Sequence, residues 1–292
     1  MTKTRATLIG FGAVLLWSLL ALFTVGSTPT PPLLLNTLCF SIGGGLGLSW
    51  CTATGTLRTL RAVPARVYAF GILGLFGYHA LYFSALRLAP AAEAGLIAYL
   101  WPLLIVVFSG LLPGEKLRGG HIIGAILGFA GAALIITNGA GSFQAQYLPG
   151  YILALCCALT WSGYSLLSRR IGTAPTASVV VFCLGTAALS LPLHLMFEET
   201  LLPTTGLGWA SIVGLGMGPV GLAFYVWDIG VKRGDIQILG TSSYLAPLLS
   251  TLILVVTGVT PAKPVLFWAA VLITGGALCA ARASYGKKGM TR

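Results

Sequence analysis

The residues of this chain best suited to holding a small molecule are rings rather than acids or thiols. Tyr78, His79 and Tyr82 fall within five positions, and Tyr78 and Tyr82, four apart, share one face of any helix that carries them. Two phenols and an imidazole can enclose a flat ring while hydrogen-bonding a polar head. A cation over such ring faces gains roughly 0.5–2 kcal/mol, enough to orient a ligand without trapping it. Trp17, Tyr99, Trp101, Trp161 and Tyr244 also lie well inside apolar runs. The alternative for each is helix packing with its polar tip bonded to a neighbour. Trp50, Tyr68, Tyr147, Tyr151, Trp209, Trp268 and Tyr285 lie at run ends, where amphipathic rings settle at a membrane–water boundary, and carry no ligand role.

Pro102 gives the second clue. Tyr99 and Trp101 are two apart and point in nearly opposite directions on an ideal helix. Both can line one cavity only if Pro102, which lacks an N–H and clashes with the preceding turn, bends or opens the helix. Carbonyls freed near residues 98 and 99 could then accept from a ligand ammonium. A kink that merely shapes the bundle is the alternative. Among the acids, Glu93 is expected to cap a helix start, where the dipole favours an anion. Asp228, four before Lys232, is expected to form a helical ion pair. His79 is either a cavity group or a neutral imidazole satisfied by a neighbouring helix.

The elements that must position these residues are membrane helices. Of 292 residues 57% are hydrophobic and only 8% charged, with mean hydropathy +0.93; soluble domains carry about 25% charged residues. Ten apolar runs are each long enough to cross a bilayer: 7–26, 32–53, 67–88, 91–112, 119–138, 150–168, 176–197, 208–231, 236–258 and 265–283. The first run shows no cleavage site and is read as a retained helix. Open strands are excluded by unpaired backbone groups in hydrocarbon, and a barrel by the lack of alternating polarity. With ten crossings, 15 of the 17 Lys and Arg residues fall on the N-terminal side and only Arg87 and Lys263 opposite. The excess of positive charge places both termini in the cytoplasm. The net charge of +11 thus reflects topology, and no nucleic-acid partner is expected.

The chain also repeats itself. Tyr99-Leu-Trp-Pro-Leu-Leu104 returns as Tyr244-Leu-Ala-Pro-Leu-Leu249, Gly95 as Gly240, Trp17-Ser18 as Trp161-Ser162, and Gly131-Ala-Ala-Leu134 as Gly275-Gly-Ala-Leu278, at offsets of 144 or 145. The division is 1–140 and 141–292, five helices each. Five is odd, so the second half enters the membrane upside down. Inverted repeats with interrupted helices near the midplane are an alternating-access architecture. Glycine clusters, including Gly214 to Gly221 with Pro219, allow close helix approach, and the last is a candidate hinge.

Ten helices in two halves, Trp-Ser in the first helix of each and Tyr-Leu-x-Pro-Leu-Leu in the fourth, resemble the drug/metabolite transporter superfamily and, within it, the EamA-type exporters. The resemblance covers the whole chain. It implies a multi-pass carrier of the bacterial inner membrane that exports small metabolites, with a central cavity lined by helices three, four, eight and nine and helped by one and six. The expected substrate-binding set is Trp17, Tyr78, His79, Tyr82, Tyr99, Trp101, Pro102, Trp161 and Tyr244. The expected cargo is aromatic and other neutral amino acids.

The rival within the same fold is proton-coupled export of cationic aromatic drugs, which needs a buried acid, Glu93 or Asp228, facing the cavity. An enzyme is not expected: G-x-x-x-x-G-K-[ST], H-E-x-x-H and G-x-S-x-G are all absent, and three histidines and six carboxylates offer little for catalysis. The six cysteines form no C-x-x-C pair, so no metal or cofactor is expected. The remaining partner is the lipid bilayer, and the chain is expected to work as a monomer or weak oligomer.

Overall fold

The computed structural model describes residues 1–137 and 143–285. Every regular element among them is helical. Ten spans are long and apolar enough to cross a membrane: Lys3–Gly26, Pro32–Ala53, Ala65–Leu88, Ala91–Ser109, Gly119–Thr137, Ala145–Arg170, Thr176–Phe197, Gly206–Arg233, Ile236–Val256 and Val265–Ser284. Most ends fall within three residues of those expected. The first span begins earlier, at Lys3, because the Thr2 hydroxyl accepts the Arg5 N–H and caps the helix. The sixth begins with a short 3-10 turn at Ala145–Tyr147, ahead of the expected start at 150. The expected end of the fifth, Asn138, lies outside the described residues, as does the side chain of Tyr285.

Large apolar side chains cover the outer faces, among them Leu8, Leu73, Trp50, Ile123, Phe267 and Trp268. A soluble monomer rarely exposes such continuous apolar surface, whereas lipid solvates it. Trp50, Trp209 and Trp268, expected at the boundary, are all exposed.

The spans pair in a regular pattern. The second packs on the seventh, the fifth on the tenth, the first on the eighth and the third on the sixth. Small residues permit the close crossings: a Cβ at Gly10 in the first span would lie 2.7 Å from the Gly230 Cα in the eighth.

Four spans are interrupted. The first breaks after Trp17, the fourth between Ala98 and Trp101, and the ninth between Ser242 and Leu245. In the eighth, Gly218–Leu222 winds as a π-helical turn where Gly214 to Gly221 with Pro219 had suggested a hinge. These interruptions lie near mid-span, and three of them adjoin an aromatic side chain: Trp17, Tyr99 with Trp101, and Tyr244.

Candidate functional site

The rings from the interrupted spans converge at the centre of the bundle. Trp17, Trp101, Trp161 and Trp227 contact one another in all six pairings, with ring centroids 5.1–6.3 Å apart. Most of these contacts are edge-to-face or tilted, the arrangement favoured by the ring quadrupole. Tyr78 joins through Trp161 at 5.5 Å and stacks nearly parallel on Tyr82 at 6.1 Å, as four-residue spacing on one helix dictates. His79 lies among Phe40, Tyr78, Phe83 and Phe224 at 5.1–6.4 Å. Tyr99 reaches Trp101 at 6.5 Å. The break at Leu100 lets both rings lean to one side, which a continuous helix would forbid.

The polar tips of this cluster are largely unclaimed. The hydroxyls of Tyr82 and Tyr99 and the indole N–H groups of Trp17, Trp101 and Trp161 find no hydrogen-bond partner among the described residues, whereas the Tyr78 hydroxyl meets the Cys157 thiol. Trp227 does: its indole donates to Ser165 Oγ at 3.1 Å, and the ring is fully buried. His79 Nδ1 lies 2.7 Å from the Leu75 carbonyl. A carbonyl only accepts, so Nδ1 carries the proton and the other ring nitrogen is left without a protein partner. Buried polar groups are nearly always paired. Here Trp17, Tyr78, His79, Tyr82 and Tyr99 are each only half-buried although surrounded by other rings.

Tyr244 stands apart from the predicted set. It is fully buried beside Phe129, 6.2 Å away, and belongs to a separate cluster with Ala132, Leu248 and Ile273. Its hydroxyl accepts the Leu103 N–H at 3.0 Å. With no free face, it cannot touch a ligand in this conformation; its partner is the backbone of the fourth span. Pro102 is buried at the start of the helix Trp101–Ser109.

The acids sort clearly. Asp228 pairs with Lys232 at 2.8 Å and accepts from the Thr176 hydroxyl at 2.7 Å, the expected ion pair with one further partner. Glu93 is buried but caps nothing: its Oε2 has no partner, and the helix Ala91–Ala98 starts from Pro90 without a side-chain cap. The described residues contain no group of three His, Cys, Asp or Glu able to hold a metal, and their six cysteines are free.

A family model described as the EamA-like transporter family matches residues 4–137 and again 148–282. The chain belongs to the EamA-like transporter family. It is a multi-pass membrane transporter, not an enzyme. It is 52% identical over 282 residues to the aromatic amino acid exporter YddG of Ancylobacter novellus, covering 96% of this chain and 98% of that protein. The Escherichia coli protein of the same name is 24% identical, covering 95% and 97%. A solved crystal structure 52% identical superposes with a TM-score of 0.92, covering 97% of this chain and 99% of the other.

The ring cluster of this EamA-family chain includes residues that sequence reasoning missed. Phe224 and Trp227 close the cluster from the eighth span, Phe40 enters from the second, and Tyr164 stacks on Trp161 at 5.2 Å. A signal was available for two of them. The offset of 145 that relates Tyr99 to Tyr244 also relates His79 to Phe224 and Tyr82 to Trp227. Phe40 and Tyr164 have no such mark, because only helix packing turns them inward.

Proposed function

We propose that this chain exports aromatic and other neutral amino acids from the cytoplasm across the bacterial inner membrane, by alternating access to the central ring cluster. The observation that carries the reading is a set of unpaired polar tips on enclosed rings. Four tryptophans and Phe224 offer flat apolar faces for a side-chain ring. The free hydroxyls, indole N–H groups and His79 nitrogen supply donors and acceptors for a polar head. The two relatives named as aromatic amino acid exporters point to the same cargo.

Alternating access draws support from the repeat. The family model matches the two halves separately, and the pairing of spans maps onto itself when each is exchanged with the one five places on: first–eighth with third–sixth, second–seventh and fifth–tenth with themselves. An odd number of spans per half inverts the second. The boundary between halves near residue 140 and cytoplasmic termini follow from this inversion and from the placement of Lys and Arg. A single chain provides the complete cluster, consistent with a working monomer or weak oligomer.

Export of cationic aromatic drugs is less favoured. Asp228 is neutralised by Lys232, which leaves only Glu93 as the acid that reading needs. In proteoliposomes loaded with phenylalanine, tyrosine or tryptophan, imposed gradients should drive movement of radiolabelled substrate. Trp161→Ala and His79→Ala should each lower the rate about tenfold or more. A protein that moves none of these amino acids under a gradient would refute the assignment.

A further inference from the structure

Tyr244 is a fully buried phenol that crosses from the ninth span to the backbone of the fourth and contributes no ligand contact. Its hydroxyl takes the Leu103 N–H. In a continuous helix that N–H would bond the Tyr99 carbonyl. The next carbonyl back, of Ala98, loses its helical donor for another reason: the residue four ahead is Pro102, which has no N–H. One broken helix end therefore presents two adjacent carbonyls without their helical donors. They cap Ala91–Ala98 at its C-terminal, electronegative end, beside the half-buried ring of Tyr99 and the buried ring of Trp101.

The equivalent break in the ninth span is built differently. There the Ser243 carbonyl, which Pro247 would leave open, accepts the Ala246 N–H at 3.1 Å. Ser243 and Tyr244 are both fully buried; of their counterparts Ala98 is also buried, at 2% exposed, whereas Tyr99 is half-buried. One break closes on its own carbonyl and the other leaves two carbonyls without donors beside the half-buried Tyr99, although the two sequences are nearly the same.

We infer that the Ala98 and Tyr99 carbonyls form the site for the substrate's α-ammonium, and that Tyr244 is the positioning residue that keeps the Tyr99 carbonyl open by occupying Leu103 N–H. The inference rests on the amino-acid reading above and adds which end of the substrate is read, and where. A primary ammonium brings three donors, matching carbonyl acceptors, while the Tyr99 and Trp101 faces supply cation–π attraction. A site built from dipoles and ring faces needs no carboxylate, in keeping with the absence of an acid among the clustered rings. Tyr244→Phe keeps the ring and its packing but removes the acceptor, so Leu103 N–H returns to the Tyr99 carbonyl and withdraws it from the ligand.

The test compares phenylalanine with 3-phenyllactate, which carries a hydroxyl in place of the ammonium, in proteoliposomes containing the full chain. Wild-type protein should prefer phenylalanine by about tenfold or more in KM, the scale of one charge-assisted hydrogen bond. Tyr244→Phe should raise the KM for phenylalanine until the preference falls below about threefold, with phenyllactate unchanged. Pro102→Ala, which restores a donor for the Ala98 carbonyl, should shift the preference in the same direction and gives a second variant should the first fold poorly. Equal handling of the two compounds by wild-type protein would overturn the ammonium site, as would an equal loss for both in Tyr244→Phe. A preference abolished by Glu93→Gln and untouched by Tyr244→Phe would move the ammonium to the buried acid and overturn it too. Wild-type protein that carries neither compound would overturn the export assignment, and this site with it.

Discussion

Gly95 and Gly240 occupy the same position in the two halves of the sequence, yet their surroundings differ. A Cβ at Gly240 would stand 2.8 Å from Val106 and 3.1 Å from the Pro102 carbonyl, so the ninth span is pressed against the fourth. A Cβ at Gly95 would meet nothing nearer than Ile136 at 3.7 Å. Toward the end that carries Lys3, Trp101–Ser109 packs on Ile236–Ser242; toward the Pro32 end, their counterparts Ala91–Ala98 and Leu245–Val256 make no comparable contact. Two halves that share these motifs thus meet closely at one end of the fourth and ninth spans and not at the other.

Charge reinforces the difference. At the Lys3 end Arg169 pairs with Glu115 and donates to the Val231 and Gly234 carbonyls at 2.7 and 2.9 Å, tying the sixth span to the turn between the eighth and ninth. Lys3 meets Asp235 at 3.0 Å, and the Asp235 N–H donates to the Thr7 hydroxyl. The Gln237 amide, oriented by its neighbours, bridges Glu115 and Asp235. The repeat positions of Arg169 and Glu115 at the far end are Val25 and Thr260, which carry no charge. At the Pro32 end Glu198 instead accepts from the Leu33 and Leu34 N–H groups and pairs with His194 at 3.0 Å and with Arg87 at 3.4 Å. It joins the second, third and seventh spans and leaves the fourth and ninth free to part. In this conformation the contact between the fourth and ninth spans is made at the Lys3 end, where ion pairs also gather.

The contrast can be broken at several points. Accessibility should respond in an all-or-none way: in a cysteine-free background, Tyr82→Cys should react with a membrane-impermeant maleimide supplied from the Pro32 side and stay unlabelled from the Lys3 side. Equal labelling from both sides would contradict the closure described. Next in size is Arg169→Ala. It strands the mostly buried Glu115 and two carbonyls, and removing one partner of such a pair costs about 3–5 kcal/mol, to be read as a lowered thermal midpoint in detergent.

Smaller changes sharpen the same comparison. Gly240→Ala should destabilise by about 1–3 kcal/mol through overpacking against Val106. Gly95→Ala, with room for its methyl, should be neutral or stabilising by up to about 1 kcal/mol from helix propensity. Equal effects of the two substitutions would remove the packing asymmetry. Smallest of all is Arg87→Ala: the side chain is 55% exposed and its pair long, so a change below about 1 kcal/mol is expected, weakening further with added salt.

Much of the architecture was legible in the residues. Hydrocarbon demands helices of a fixed minimum length, so apolar run length alone located the spans, and proline and glycine marked three of the four interruptions; the break after Trp17 carries neither. Ring residues deep inside those runs flagged most of the central cluster. Tyr244 was legible as unusual but not as a buried cap, because its role depends on a backbone N–H 141 positions away. Position in a first turn marks Glu93 as a cap, yet its Oε2 is left without a partner, because capping depends on where the side chain packs and not on its place in the sequence.

By itself, then, the sequence determined the solvent, the number of crossings, the duplication and the stock of rings, since each depends on local composition or on spacing along the chain. Tertiary structure decided which of two equivalent breaks is open, which rings keep a free polar tip and which end is fastened. Those outcomes turn on contacts between halves, and a repeat that reads nearly the same twice cannot say by itself which copy is pressed against its neighbour.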